Sequence, residues 1–241
     1  MPASRLFIAF MSASLGSVSL CHAQPAAPGP ASPPQVLVLV RQQSKSGKSH
    51  ARQRLERAKS AIYNRLEVPA YWMEMQSLSG LPEDLLFEPF DSFEAVETAN
   101  AALEPLQQEH PELSRIEAGI HDVLSSETTI LAVRRDPPGA TQINLAEARF
   151  LRMSIVRTNP GETPPRGIES PGIIYQVTSG LPGPAFLVFQ PLTALSDVPL
   201  VPIAMGTVVE DSVYAIEPEM SHVSRAFAEQ DQSFWMKPSG Q

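Results

Sequence analysis

A short phrase occurs twice in this chain. Ser79-Gly80-Leu81-Pro82 returns as Ser179-Gly180-Leu181-Pro182, and Leu85-Leu86-Phe87-Glu88-Pro89-Phe90 returns as Leu187-Val188-Phe189-Gln190-Pro191-Leu192. The offset moves from 100 to 102, so the connection between turn and strand has gained two residues. Val96 finds its counterpart in Val198, and Ser212 to Ile216 after Glu210-Asp211 echoes Thr129 to Val133 after Glu127. A turn, an apolar strand and a strand-ending proline recurring in one order restrict the chain to two related units in tandem rather than one large irregular core.

The content of each unit follows from periodicity. Val36 to Val40 is a continuous run of β-formers, as expected of a strand buried on both faces. Ala51, Leu55, Ala58, Ile62 and Leu66 recur at helical spacing, predicting an apolar face, with Arg52, Arg54, Arg57, Lys59 and Arg65 on the other faces and Ser46 or Ser49 as cap. Tyr71 to Ser79 and Leu85 to Phe90 read as strands joined by the Gly-Pro turn, Ser92 to Leu103 as a helix extending in part toward Gly119, and Thr128 to Arg135 as a strand. The order β-α-β-β-α-β is that of a ferredoxin-like unit, expected over residues 35–138. A second, degenerate unit is expected over 148–224, with strands from Phe150 to Arg157, around Tyr175, from Leu187 to Leu192 and from Ser212 to Ile216. Between Arg157 and Gly172 lies only a Pro/Gly-rich stretch, so the second unit is expected to lack its first helix. Residues 225–241 form a tail.

Two such units resemble the dimeric α+β-barrel superfamily, in particular its NIPSNAP-like and antibiotic-biosynthesis-monooxygenase-like branches. The resemblance covers roughly residues 35 to 236. It is carried by Tyr71-Trp72, the Phe-X-Pro strand ends at Phe87-Glu88-Pro89 and Phe189-Gln190-Pro191, Pro218 to Val223, and Ser233-Phe234-Trp235. It implies an α+β fold in which the sheets of the two units close into one intrachain barrel, with the tail or a partner covering the side left bare by the missing helix. Monooxygenases of this fold use an Asn, a Trp and a His around a cavity. Val36 to Arg41 holds no Asn, so that set does not carry over to this chain, and no catalytic residue is assigned.

The first 23 residues read as an export signal: Arg5, an apolar stretch from Leu6 to Leu20, and a small residue, Ala23, at the cleavage position. Cys21 is the sole cysteine, so cleavage would remove all thiol chemistry, and no disulfide or cysteine-based zinc cage is expected. Residues 24–34 hold five prolines and read as an extended leader. A periplasmic or secreted location follows, with a lipoprotein as the lesser alternative and no transmembrane segment. The net charge of -8 excludes the basic field of a general nucleic-acid binder. That charge is uneven: residues 41–65 carry eight cations and one acid, and residues 67–127 carry 14 acids and one cation. Arg52, Arg57 and Lys59 on the basic helix are therefore the expected surface for an anion, a protein partner or a second copy.

Ser46-Gly47-Lys48-Ser49 lies between a strand and a helix, as a phosphate-binding loop would, but the first glycine of that loop is replaced by Gln42. The five histidines show no ligand spacing, so no metal or other cofactor is expected. Four strand residues remain as candidates for lining a cavity: Trp72, Glu74, Arg152 and Tyr175. If their faces point into the barrel, they would bring a carboxylate, a guanidinium and two aromatic rings together around a small molecule. Three functions stay open: an exported non-catalytic barrel that binds a small molecule or a partner, a cofactor-independent monooxygenase-like enzyme using the cavity, and an envelope-associated interaction protein.

Overall fold

The computed structural model describes residues 33–135, 143–159, 172–198 and 207–236. The proposed signal and nearly all of the leader lie outside them, as does most of the connection in which the second unit was expected to lack a helix. The elements in chain order are β1 (Val36–Ser44), α1 (Ser49–Leu66), β2 (Met73–Ser77), β3 (Asp84–Phe90), α2 (Phe93–Glu109), α3 (Pro111–Val123), β4 (Leu124–Arg134), β5 (Phe150–Arg157), β6 (Ile173–Ser179), β7 (Ala185–Leu192), β8 (Thr207–Ile216), α4 (Arg225–Ala228) and α5 (Gln232–Trp235). The fold is α+β. Eight antiparallel strands close into one barrel in the order β1-β3-β2-β8-β5-β7-β6-β4. Within it β1 lies between β3 and β4, and β5 lies between β7 and β8; the seams are β2 with β8 and β4 with β6. Closure leaves no unpaired sheet edge among the described residues.

A barrel of eight strands has an interior just wide enough for side chains to fill. Alternate residues of every strand point inward, and nearly all of them are apolar: Leu37, Leu39, Met73, Met75, Leu85, Phe87, Ile130, Leu151, Met153, Ile173, Leu187 and Phe189 form one buried cluster. At its centre Phe87, Tyr175 and Phe189 meet edge to face, with ring centroids 5.4 to 6.3 Å apart. One end is closed by polar groups. The Arg41 guanidinium donates to Glu83 (Nε to Oε2, 3.0 Å; Nη2 to Oε1, 2.8 Å) and to Glu210 Oε1 (2.7 Å), and the Tyr214 hydroxyl donates to Glu83 Oε1 at 2.6 Å. At the other end Val223, Phe227, Phe234 and Trp235 pack against the core, with the Trp235 indole N–H donating to Ala146 O at 2.8 Å. The tail residues Phe227, Phe234 and Trp235 therefore pack against the barrel core.

Both repeated turns have their glycine at positive φ, Gly80 at 79° and Gly180 at 98°. At Gly180 a Cβ would sit 2.3 Å from Thr129 O, so the repeated phrase records a backbone requirement there.

Three expectations about helices change. The helix expected from Ser92 is two helices, because Pro111 pushes His110 to φ -125° and ψ 74°, away from helical geometry. Ser92 caps α2, its Oγ accepting from Ala95 N at 3.1 Å. For α1 the residue before the first turn is Lys48, with no side-chain cap, rather than Ser46 or Ser49. The third change concerns the face of α1. Its buried residues are Arg52, Glu56, Ser60 and Tyr63, while Ala58 is exposed and Leu55 and Ile62 are half-buried. The apolar stripe runs beside α3, where Leu55 touches Gly119, and a polar stripe faces the sheet.

Candidate functional site

The residues that carry charge chemistry lie outside the barrel, between α1, the outward faces of β1 to β3, and the strap from Glu217 to His222 that follows β8. Side chains at i, i+4 and i+8 of a helix share a face, which places Arg52, Glu56 and Ser60 in one row above the sheet. On β2 and β3 the pairing of Glu74 with Leu86 and of Gln76 with Asp84 puts both carboxylates on the outward face, diagonal to one another. Arg52, wholly buried, pairs with Glu74 through Nη2, with Asp84 Oδ2 through Nη1 at 3.0 Å, and with Gln42 Oε1 through Nε at 3.1 Å. Lys59 Nζ lies 2.7 Å from Glu56 Oε2 and 4.9 Å from the Trp72 ring centroid.

Three carboxylates thus face two cations in a space shut off from water. Glu56 Oε1, Glu74 Oε2 and Asp84 Oδ1 are buried without a hydrogen-bond partner. Burial, followed by repulsion from Glu56, pushes the Glu74 carboxyl up to about 8 against the pull of Arg52 and Lys59. The Asp84 carboxyl rises for the same first reason. Burial and Glu56 thus both favour the protonated form of Glu74, which would relieve the surplus negative charge.

On the other side of the strap is an open cleft of about 600 Å³. It is lined by small and polar residues of α1 (Ala58, Ser60, Ala61 and Asn64), by Glu217 to Glu219 of the strap and by Phe234 with Trp235. The strap is pinned from both sides. Ser60 Oγ donates to Ser221 O at 2.6 Å, Glu217 N to Glu74 O at 2.8 Å, and the Trp72 indole N–H to Met220 O at 2.9 Å. At the rim Arg57 Nε donates to Glu219 Oε2 at 2.9 Å. Glu217 is half-buried, and its carboxylate has no hydrogen bond or ion pair among the described residues. Burial raises its pKa, countered by Arg57 and assisted by Glu219 and Asp84. The two rings have centroids 5.1 Å apart; Trp235 is tied to Ala146, and the Arg149 guanidinium lies over Phe234, 4.1 Å from its centroid.

The four residues expected to line a barrel cavity do not converge. Trp72 and Glu74 face α1, and Trp72 is sealed against Tyr63 with centroids 5.0 Å apart. Arg152 faces outward from the second half and grips Asp211 with two bonds, Nε to Oδ1 at 2.8 Å and Nη2 to Oδ2 at 2.6 Å. Tyr175 alone points inward, and its hydroxyl donates to Pro34 O at 3.0 Å. Nor do Arg52, Arg57 and Lys59 form one open cationic surface. Arg52 is fully buried and the Lys59 side chain is 12% exposed, both held by carboxylates, so Arg57, 43% exposed, is the member that reaches solvent. Sequence reasoning missed Glu56 and Asp84 as partners of Arg52, and missed Glu217 and Asn64 as cleft residues. The two outward-facing acids on otherwise apolar strands, Glu74 and Asp84, were the available signal for the buried cluster; Glu217 gave none.

Among the described residues no set of three or more His, Cys, Asp and Glu is arranged to hold a metal, and no helix is long and apolar enough to cross a membrane.

No protein-family model matches the chain, and no curated protein sequence matches it. Solved structures do align with it at low identity. An anthrone oxidase-like protein aligns with a TM-score of 0.48 and 11% identity over 76% of this chain and 91% of its own. A proposed monooxygenase from Lactobacillus acidophilus NCFM gives 0.48 and 8% over 78% and 95%. A proposed chlorite dismutase gives 0.47 and 10% over 77% and 96%. None of these likenesses assigns an activity to this chain.

Proposed function

We propose that this chain is an exported, non-catalytic α+β-barrel protein of two tandem ferredoxin-like units, which binds a small molecule in the cleft between α1 and the C-terminal helices. The observation that carries this reading is the contrast between the two spaces. The barrel interior is filled by Leu, Met and Phe side chains, whereas the cleft is open, has the volume of ordinary ligand sites and presents fixed aromatic rings beside a carboxylate without a partner. Export is supported by the sequence of residues 1–23. The tandem reading is supported by the repeated phrases and by the matching neighbours of β1 and β5 in the barrel.

A blocking substitution tests the site. Ala61 is exposed and lines the cleft, so Ala61→Trp fills the space without disturbing the core. In a ligand-observed NMR screen of small aromatic and aliphatic compounds, hits on the wild type are expected to vanish with Ala61→Trp and to persist with Met75→Leu in the barrel. Hits that persist with Ala61→Trp and vanish with Met75→Leu would return the site to the barrel.

One observation favours a second reading, a cofactor-independent monooxygenase-like enzyme: Glu74 combines a raised pKa, near 8, with an oxygen that has no partner, the properties of a group able to exchange a proton. Its complete burial under α1 requires that helix to move before any substrate could reach it. Loss of turnover in Glu74→Gln, with ligand binding unchanged, would favour this reading over the first.

A further inference from the structure

The geometry points to a particular class of ligand for the cleft: an organic monocation carrying a flat ring, such as an arylalkylammonium, its charge on Glu217 and its ring against Phe234 and Trp235. This rests on the cleft being a binding site and goes on to say what fills it.

Three features of the cleft select that chemistry. The first is charge. Of the ionic groups around it, Arg57 and Glu219 neutralise each other at the rim, which leaves the Glu217 carboxylate as the unmatched charge. A carboxylate half-withdrawn from water and lacking a donor gains most from a ligand that brings a cationic donor to it. The second is the pair of rings. Trp235 presents aromatic surface that is already immobilised, so a flat ring can settle there without ordering new side chains, beside Phe234, whose own ring carries the Arg149 guanidinium 4.1 Å from its centroid. Aromatic faces also attract cations, which adds to the preference for positive charge over negative. The third is the α1 lining. Ala58, Ser60 and Ala61 are small enough to leave a flat surface, and Asn64 adds a polar amide without charge. An anionic ligand would find Arg57 already engaged by Glu219 and Arg149 already engaged by Asp231, and would meet Glu217 unfavourably.

Three probes of one size and different charge separate the possibilities: phenethylammonium, phenethyl alcohol and 3-phenylpropionate. Each is titrated into the full-length protein, with binding read by calorimetry and by Trp fluorescence; Trp72 is sealed, so Trp235 is the ring that responds. The expected result is saturable binding of phenethylammonium, roughly tenfold or more tighter than the alcohol, with no binding of the propionate. Glu217→Gln should remove most of that tenfold advantage and leave the alcohol unchanged. Glu217 holds the strap through its backbone N–H and carbonyl, so this substitution leaves the fold intact. Glu219→Gln frees Arg57 to offset Glu217 and should also weaken the cation while leaving the alcohol unchanged.

Affinity for the cation should also rise with pH as Glu217 ionises, with Arg57, Glu219 and Asp84 as the charged groups that set where this occurs. Equal binding of the cation and the alcohol, or tighter binding of the propionate, overturns the assignment of ligand class and leaves the cleft itself standing. If none of the three perturbs Trp235, both this inference and the cleft reading fail.

Discussion

Replacing Glu74 by glutamine should change how the stability of the protein depends on pH. Burial, and Glu56 next, raise the folded-state carboxyl from 4.5 to about 8, so between those values the folded chain holds a proton that the unfolded chain has released. Stability then falls as pH rises, because the unfolded state binds fewer protons across that window. One proton corresponds to a slope of at most about 1.4 kcal/mol per pH unit. Coupling to Glu56, Arg52, Lys59 and Asp84 spreads the transition, and a total of a few kcal/mol is expected. Glutamine is the neutral counterpart of the protonated acid and keeps an oxygen to accept from Arg52. Glu74→Gln should therefore match the wild type near pH 5 and exceed it in stability near pH 8. The assay is urea denaturation at half-unit pH steps, with the difference between the two proteins as the quantity of interest, since it cancels the titrating groups that are not coupled to Glu74. A difference that stays constant across the window would refute the assignment of a neutral Glu74, and a wild type that gains stability relative to the variant would reverse its sign.

Other consequences follow from the same structure. Arg52→Ala leaves three buried carboxylates facing Lys59 and should cost about 3–5 kcal/mol near neutrality, with the loss shrinking in acid; chemical denaturation at two pH values reads both effects. Gly180→Ala combines φ 98° with a Cβ 2.3 Å from Thr129 O and should cost about 3 kcal/mol or more, whereas Gly183→Ala, at φ 73° with nothing within 4 Å, should cost about 1 kcal/mol. Equal melting temperatures for these two variants would contradict the account of the repeated turn. Arg152 holds Asp211 below the usual carboxylate range, so this pair contributes stability above the unfolded pKa that is lost as pH falls through the folded one. Because Asp211 is 39% exposed, Arg152→Ala should cost only about 1 kcal/mol near neutrality and nothing in strong acid, measured by thermal melts at both pH values.

The strands were legible because a buried strand must spell itself in β-formers and a turn at positive φ must spell itself in glycine. Val36 to Val40, both Ser-Gly-Leu-Pro phrases and the Phe-X-Pro strand ends all behave as their sequence implies. The helix faces were not legible in the same way. Arg52, Glu56 and Ser60 look like a solvated stripe, and only the β2–β3 register reveals that Glu74 and Asp84 wait beneath them. A local pattern cannot show that a charge is buried when its partners lie 22 and 32 residues away on other elements. The same holds for the cleft: Arg57 and Asn64 on α1 meet Phe234 and Trp235 from the far end of the chain, an encounter set by barrel closure. Whether Trp72, Glu74, Arg152 and Tyr175 share the barrel interior is left open by the sequence for a simpler reason. Alternation tells which residues share a face of a strand, but which face is inside depends on where the helices pack, and α1 sits over the face that carries Trp72 and Glu74.

The most direct test of a filled barrel with its binding site outside is a titration followed on methionine methyl groups. Met75 and Met153 lie in the barrel core, and Met220 directly follows Glu217 to Glu219, the strap residues that line the cleft, with its carbonyl held by Trp72. With methyl-labelled methionine and phenethylammonium as ligand, the Met220 resonance is predicted to shift and saturate while those of Met75 and Met153 stay in place. Saturating shifts at Met75 and Met153, with Met220 unmoved, would contradict the account.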